Sequence, residues 1–225
     1  MPEGFHPPLE EYLETIHALT EEGVDVIQAR LVERLGHSPQ AVSEMVRRLV
    51  DDGYVVRKGR GVELSASGKE RALSVVRKHR LAERFLVDIV GLPWEKAHDE
   101  AGRWEHVISS DVEARFVEIL GNPTTCPHGN PIPGTPLDGR PQVAMSDLEV
   151  GVTVRLARIT ELIEIDRSAI RYLSENGLIP GTNAHVSSRA PDGTLTLELI
   201  DEAGLGGHTV AIGPALSRQM FVTTV

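Results

Sequence analysis

The sequence predicts a mainly α chain with β structure in three parts: an N-terminal winged helix-turn-helix, a helical middle section and a small C-terminal β-barrel. Three observations carry this. Helical periodicity runs through three short segments that lead into a basic hairpin. A longer amphipathic stretch and two more helices follow, ending in a Pro/Gly-rich connector at Gly121–Pro141. Beyond it the chain alternates apolar and polar residues between turn signals.

The elements follow in order. Residues 7–21 read as a helix, with Leu9, Tyr12, Leu13, Ile16 and Leu19 on one stripe after Pro7-Pro8. Residues 25–35 read as a second helix that stops at Gly36. Ser38 then offers an N-cap and Pro39 a first helical position. The third helix carries Val42, Met45, Val46, Leu49 and Val50 and ends at Gly53. Tyr54–Val56 and Val62–Leu64 flank the turn Arg57-Lys58-Gly59-Arg60-Gly61 and form a hairpin. A helix with a polar outer face fits the major groove of DNA, and a basic hairpin beside it reaches phosphates. Ser38, Pro39, Gln40 and Ser43 are therefore expected at the exposed start of the recognition helix, Arg48 near phosphate, and Lys58 and Arg60 on the wing. Residues 66–90, 94–109 and 111–120 are expected as helices. Strands are expected at Val152–Ile159, Ala184–Ser188, Thr194–Ile200 and His208–Ile212, with a helix near Ser168–Asn176. Gly204–Gly207 reads as a hairpin turn.

The net charge of −10 argues against a nucleic-acid binder only if the charge is spread evenly. Between Arg57 and Arg84 stand nine Lys or Arg residues against three acids, enough to grip DNA locally. Aromatic residues make up 4%, too few for a base-stacking reader of single strands. No apolar run approaches a membrane span, and Met1–His6 does not read as a signal peptide. Cys126 is the only cysteine, which suits a reducing compartment such as the cytoplasm.

The chemistry concentrates on helix faces. His98, Gly102, Glu105 and His106 fall at i, i+4, i+7 and i+8, one stripe of the 94–109 helix. His79 and Glu83 share a face of the preceding helix. Imidazole and carboxylate turned inward are costly unless something pairs with them, and two such sets on adjacent helices suit a divalent metal. Gly102 either leaves room for an ion or water at its carbonyl or serves close helix packing; a mid-helix glycine costs about 1 kcal/mol relative to alanine. Glu11 and Glu14 share a face of the first helix, and complete a second site if that helix lies against the 94–109 helix.

The stretches Arg77–Arg84, His98–His106 and Gly129-Asn130-Pro131-Ile132-Pro133-Gly134 resemble the diphtheria toxin repressor and iron-dependent regulator family. The resemblance spans essentially the whole chain. It implies a winged helix over residues 1–72, a helical dimerisation and metal-binding domain over 73–140, and an SH3-like domain over 147–225. It also implies two metal sites per subunit. The ancillary site takes His79, Glu83 and His98, with Glu161 and Glu164 from the C-terminal domain, where their context looks strand-like. The primary site takes Glu105, His106 and the positions of Gly102 and Glu11. The iron-type pattern has Met and Cys where this chain has Glu11 and Gly102, and Gln and Arg where it has Glu44 and Asp51. An acid at position 11 with Glu14 one turn on is similar to the manganese-sensing branch.

The sequence thus predicts a homodimeric repressor that binds double-stranded operator DNA when loaded with Mn(II) or Fe(II), with oxygen-rich ligation leaning to Mn(II). It is not expected to be an enzyme or to engage a membrane. The rivals are a metallohydrolase, since His and Glu clusters also activate water, and a winged-helix regulator switched by an organic ligand.

Overall fold

The computed structural model describes residues 8–136, 139–201 and 206–224. Helix α1 (Pro8–Glu21) buries Tyr12, Leu13, Ile16 and Leu19 against α2 (Gln28–Leu35) and α3 (Pro39–Asp51). Leu31, Val42, Val46 and Leu49 complete that core, each fully buried at helical spacing. Helix α2 starts three residues later than its periodicity suggests. The Val26 carbonyl accepts a hydrogen bond from Val62 N–H at 2.9 Å, so residues 25–27 are drawn alongside the hairpin instead. Gly36 ends α2 in the left-handed conformation, which only glycine adopts without strain. Ser38 Oγ accepts from Ala41 N–H at 3.2 Å and Pro39 takes the first helical position, so α3 starts where the sequence signals it. Strands β1 (Val55–Lys58) and β2 (Gly61–Leu64) pair antiparallel as a hairpin whose Val55 and Val62 reach the same core.

Helix α4 (Ala66–Phe85) continues into a wider π-type turn at Leu86–Val90. The expected helix at 94–109 is shorter. A 3₁₀ turn at Trp94–Lys96 precedes α5 (Ala97–Trp104), and Glu105 sits at its C-cap. Ser109 already caps α6 (Ser110–Ile119), accepting from Val112 N–H at 3.3 Å, so His106 lies in the intervening turn and not on the helical stripe. Leu81, Ala82, Leu86, Ala101, Ile108, Phe116 and Ile132 form a second core.

The C-terminal section is a six-stranded antiparallel sheet, in the order β3 (Val143–Ala144), β8 (Met220–Thr224), β4 (Thr153–Ile159), β5 (Asn183–Arg189), β6 (Leu195–Ile200), β7 (Gly206–Ile212). Among the described residues β7 does not pair back to β3, so the sheet is open and the expected barrel closure is corrected. Strands β3 and β8 were not expected; β8 is short and lacks strict polar alternation, yet it lies beside β4 because Val154 and Leu156 need a neighbour. Helices α7 (Glu161–Glu164), α8 (Arg167–Glu175) and α9 (Pro214–Ser217) accompany the sheet. The strand-like reading of Glu161 and Glu164 is overturned: Thr160 starts a single helical turn that carries both. Gly204 and Leu205 of the expected turn lie outside the described residues, and Gly206 opens β7. No helix among the described residues is long and apolar enough to cross a membrane.

The connector after α6 fixes the site. Gly129 has φ +87°, and a Cβ there would lie 2.0 Å from the Ala157 carbonyl oxygen. The loop is thereby pressed onto β4, where Ile159 N–H donates to the His128 carbonyl at 3.1 Å.

Candidate metal centre

Helices α1, α4, α5 and α7 surround one cleft of about 240 Å³. Glu11, Glu14, His79, Glu83, His98, Gly102, Glu105, Glu161 and Glu164 all line it. Of the ten residues singled out for metal, only His106 stands outside, in a neighbouring cavity with Glu10 and Arg71.

The tightest cluster is built by the i, i+4 pair of α4 facing α5 and α7. Glu83 Oε1 lies 3.1 Å from His79 Nε2 and 3.4 Å from His98 Nδ1. His98 Nδ1 is 3.0 Å from His79 Nε2 and 2.9 Å from Glu164 Oε2. Donor atoms about 3 Å apart match adjacent ligands roughly 2.1 Å from one six-coordinate ion. Glu83, Glu105 and Glu164 are buried, and Glu83 Oε2 accepts no hydrogen bond from the described residues. Buried carboxylates with open lone pairs call for a cation.

Two residues of this cluster were missed by sequence reasoning. His128 Nδ1 lies 3.1 Å from Glu83 Oε1 and 3.5 Å from Glu164 Oε2, while its Nε2–H faces the Trp94 carbonyl at 3.2 Å. A carbonyl and a carboxylate only accept, so both ring nitrogens donate here; against burial, Glu164 and Glu83 raise His128 above its usual value, and loss of the Nδ1 proton would turn that lone pair to a cation. Cys126, Glu83 and His128 bring ligating atoms within 4.8 Å of one another. Cys-Pro-His-Gly was legible only as a loop, because nothing local says what it folds against.

The second cluster brings Glu14, Glu105 and His106 within 4.8 Å of one another. His106 Nε2 is 3.1 Å from Glu105 Oε1 and its Nδ1 donates to Glu10 Oε2 at 2.7 Å. Glu10, also missed, is held in turn by Arg71 Nη2 at 2.8 Å. Glu11 and Glu161 line the cleft but stand outside the tight clusters; Glu161 instead faces Arg34 at 3.9 Å. A Cβ built on Gly102 would meet nothing within 4 Å, so open space and not helix packing surrounds it.

The protonation pattern fits a cation site. Burial and the charge of Glu105 push the Glu14 carboxyl well above its usual range. Burial opposes ionisation of Glu105, yet the His79 and His106 rings hold it down to about 2. Burial likewise disfavours charge on His98, but its bonds to Glu164 and Glu83 raise it to about 10. His79 is raised well above its usual value, against burial, by Glu83 and Glu105. Protonated rings thus balance the carboxylates, and a metal entering the cleft would have to displace those protons.

The positions singled out for DNA lie at the start of α3, along it and on the hairpin. Ser38, Pro39, Gln40, Ser43, Arg48, Lys58 and Arg60 are all exposed. Ser38 is engaged as the cap of α3, Arg48 faces Asp52 at 3.6 Å, and Lys58 pairs with Glu63 at 2.5 Å across the hairpin.

Three family models match the chain in sequence order. They are the iron dependent repressor N-terminal DNA binding domain at residues 5–62, the iron dependent repressor metal binding and dimerisation domain at 65–134, and the FeoA domain at 143–224. The chain is 44% identical over 200 residues to the iron-dependent repressor IdeR of Mycobacterium tuberculosis, covering 84% of this chain and 86% of that protein. It is 40% identical over 223 residues to the diphtheria toxin repressor of Corynebacterium diphtheriae, covering 90% and 95%. Among solved structures, a manganese-dependent transcriptional repressor in complex with manganese superposes with a TM-score of 0.85 at 31% identity, covering 96% of this chain and 100% of that one. IdeR of T. acidophilum superposes with a TM-score of 0.77 at 29% identity, covering 96% and 97%. The relatives are named as repressors, and no family of enzymes is among the models matched. With a named relative this similar over most of its length, the chain belongs to the iron-dependent repressor family of metal-dependent transcriptional regulators.

Proposed function

We propose that this chain is a cytoplasmic homodimer that takes up two divalent ions per subunit and then binds operator DNA through paired winged helix-turn-helix units. The observation that carries the reading is the shared cleft: α1 brings Glu11 and Glu14 to the same space as α4, α5 and α7. A divalent ion supplies the positive charge that lets these carboxylates approach one another. The ions then stabilise the arrangement in which α1 lies against α4, which orders the α2–α3 pair and its wing for DNA. Residues 1–72, 73–140 and 147–225 act as the DNA-reading, dimerising and SH3-like units of this arrangement.

The first site takes His79, Glu83, His98 and Glu164, joined by His128 and Cys126, with Glu161 at its rim. The second takes Glu14, Glu105 and His106, with Glu11 and the Gly102 carbonyl adjacent. The second set is oxygen-dominated and leans to Mn(II), with Fe(II) next; the relatives carry both metals in their names. Exposed Ile89, Val90, Val107, Val112 and Ile119 lie around the helical core and supply an apolar surface for the second copy. Ser38, Pro39, Gln40 and Ser43 face the groove from the start of α3, with Arg48 near phosphate and Lys58 and Arg60 on the wing. The chain acts without turnover, since the candidate ligands hold helices together and the named relatives are repressors.

The test is a titration of DNA binding with Mn(II), Fe(II), Co(II) and Zn(II) under anaerobic conditions. Metal-dependent binding of a selected duplex, with no hydrolysis of phosphoester or peptide substrates, is expected. Turnover would favour the metallohydrolase, and metal-independent binding the organically switched regulator.

A further inference from the structure

The cleft and the DNA-facing helix are connected by a bond that neither site uses. Tyr12 follows Glu11 in α1 and so projects about 100° around the helix from it. Its ring is 2% exposed, in the core shared with α2 and α3. Its hydroxyl is hydrogen-bonded to His37 Nδ1 at 3.0 Å, and the two rings lie 5.7 Å apart. His37 stands between Gly36, the left-handed end of α2, and Ser38, the cap of α3. The three-residue turn 36–38 therefore has one side-chain bond to α1 among those described, and it comes from the residue beside Glu11.

We propose that Tyr12 and His37 are positioning residues that set the first turn of α3 from the position of α1. The inference rests on the reading of α3 as the DNA-reading helix and adds the path by which metal capture reaches it. Glu10, Glu11 and Glu14 fix the rotation and height of α1 on one side; Tyr12, on the same rigid helix, hands that placement to the turn. Apolar packing of the Tyr12 ring holds α1 to α2 and α3 without specifying rotation. The hydroxyl is directional, and it acts one residue before the cap of α3. Loss of the bond should leave the core packed and the ions bound, while α3 loses its defined approach to base edges.

The experiment uses the full chain and a duplex selected from random sequence by the Mn(II)-loaded parent, with a scrambled duplex as control. The variants are Tyr12→Phe, His37→Ala and His37→Asn; Asn places a polar atom where Nδ1 stands. Net loss of one hydrogen bond predicts a selected-duplex affinity about three- to tenfold weaker for Tyr12→Phe and His37→Ala. Scrambled-duplex affinity and calorimetric Mn(II) affinity should be unchanged, and His37→Asn should recover most of the loss. Variants that discriminate the two duplexes as the parent does overturn the inference. So does an equal loss on both duplexes together with a lowered unfolding temperature, which marks a merely structural role. A parent that binds no duplex in the presence of any metal instead removes the functional reading itself, and the inference with it.

Discussion

His79 and Glu105 are hydrogen-bonded through Nδ1 and Oε2, while the other nitrogen of the same ring lies 3.1 Å from Glu83 Oε1. One imidazole therefore joins the two clusters of the cleft. Removing Glu105 would take a candidate ligand from one cluster and the hydrogen-bonding partner of His79 from the other. Glu105→Ala is expected to abolish metal-stimulated DNA binding and to weaken both calorimetric binding events, by about tenfold or more at the His79 site. Two undiminished events would show that the clusters are independent.

Glu164 and Glu161 share a helical turn but differ in placement. Only Glu164 reaches His98, at 2.9 Å. Glu164→Ala should lower the metal stoichiometry measured by elemental analysis, with dimer mass unchanged in light scattering. Glu161→Ala should have the smaller effect, since its ion-pair partner is Arg34 and it stands outside the tight clusters. A reversed order would place Glu161 as the ligand.

Space and charge at the second cluster are expected to set the metal preference. Glu11 and the open side of Gly102 leave oxygen donors and room where sulfur would favour softer ions. Glu11→Met with Gly102→Cys should shift the activating ion away from Mn(II). Competition between Mn(II) and Fe(II) under anaerobic conditions reads this directly, and an unchanged ratio removes these two positions as determinants.

Arg60 stands exposed at the hairpin tip. Arg60→Ala should weaken binding similarly on all duplexes and lower the slope of log K against log salt by about one unit. An unchanged slope takes Arg60 off the phosphate.

Arg80 Nη2 donates to Glu21 Oε2 at 2.5 Å, tying the end of α1 to α4, and Arg80 Nη1 donates to the Pro131 carbonyl at 2.5 Å. Burial raises the Glu21 carboxyl, but the His17 ring 3.3 Å away and the bonds from Arg80 outweigh it and lower it from 4.5 to about 2. A depressed folded-state value stabilises the fold above the unfolded value and loses that contribution as pH falls through the folded one. Parent and Glu21→Gln should therefore differ in unfolding temperature at pH 6, and the difference should shrink between about pH 5 and pH 2. A constant difference would mean that Glu21 acts by packing alone.

What the sequence by itself determined was local. The i, i+4 spacing put His79 beside Glu83, apolar stripes marked α1 to α3, and Ser38-Pro39 marked the start of α3; these follow from the helical repeat and from capping chemistry. The neighbourhood of Glu11, Glu14, Gly102 and Glu105 was legible only as a conditional, if the first helix lay against the 94–109 helix; the structure packs α1 on α4 and brings these residues to one cleft. Only the tertiary structure decided the rest. His106 leaves the helix because Ser109 caps the next one. Glu10, adjacent to Glu11, is the carboxylate that holds His106. Cys126 and His128 enter the first cluster because Gly129 lets its loop press against β4, a contact across about 30 residues of chain that no local pattern encodes. The sheet remains open for the same reason: strand alternation fixes which face is buried, whereas closure depends on whether the two edges meet in space.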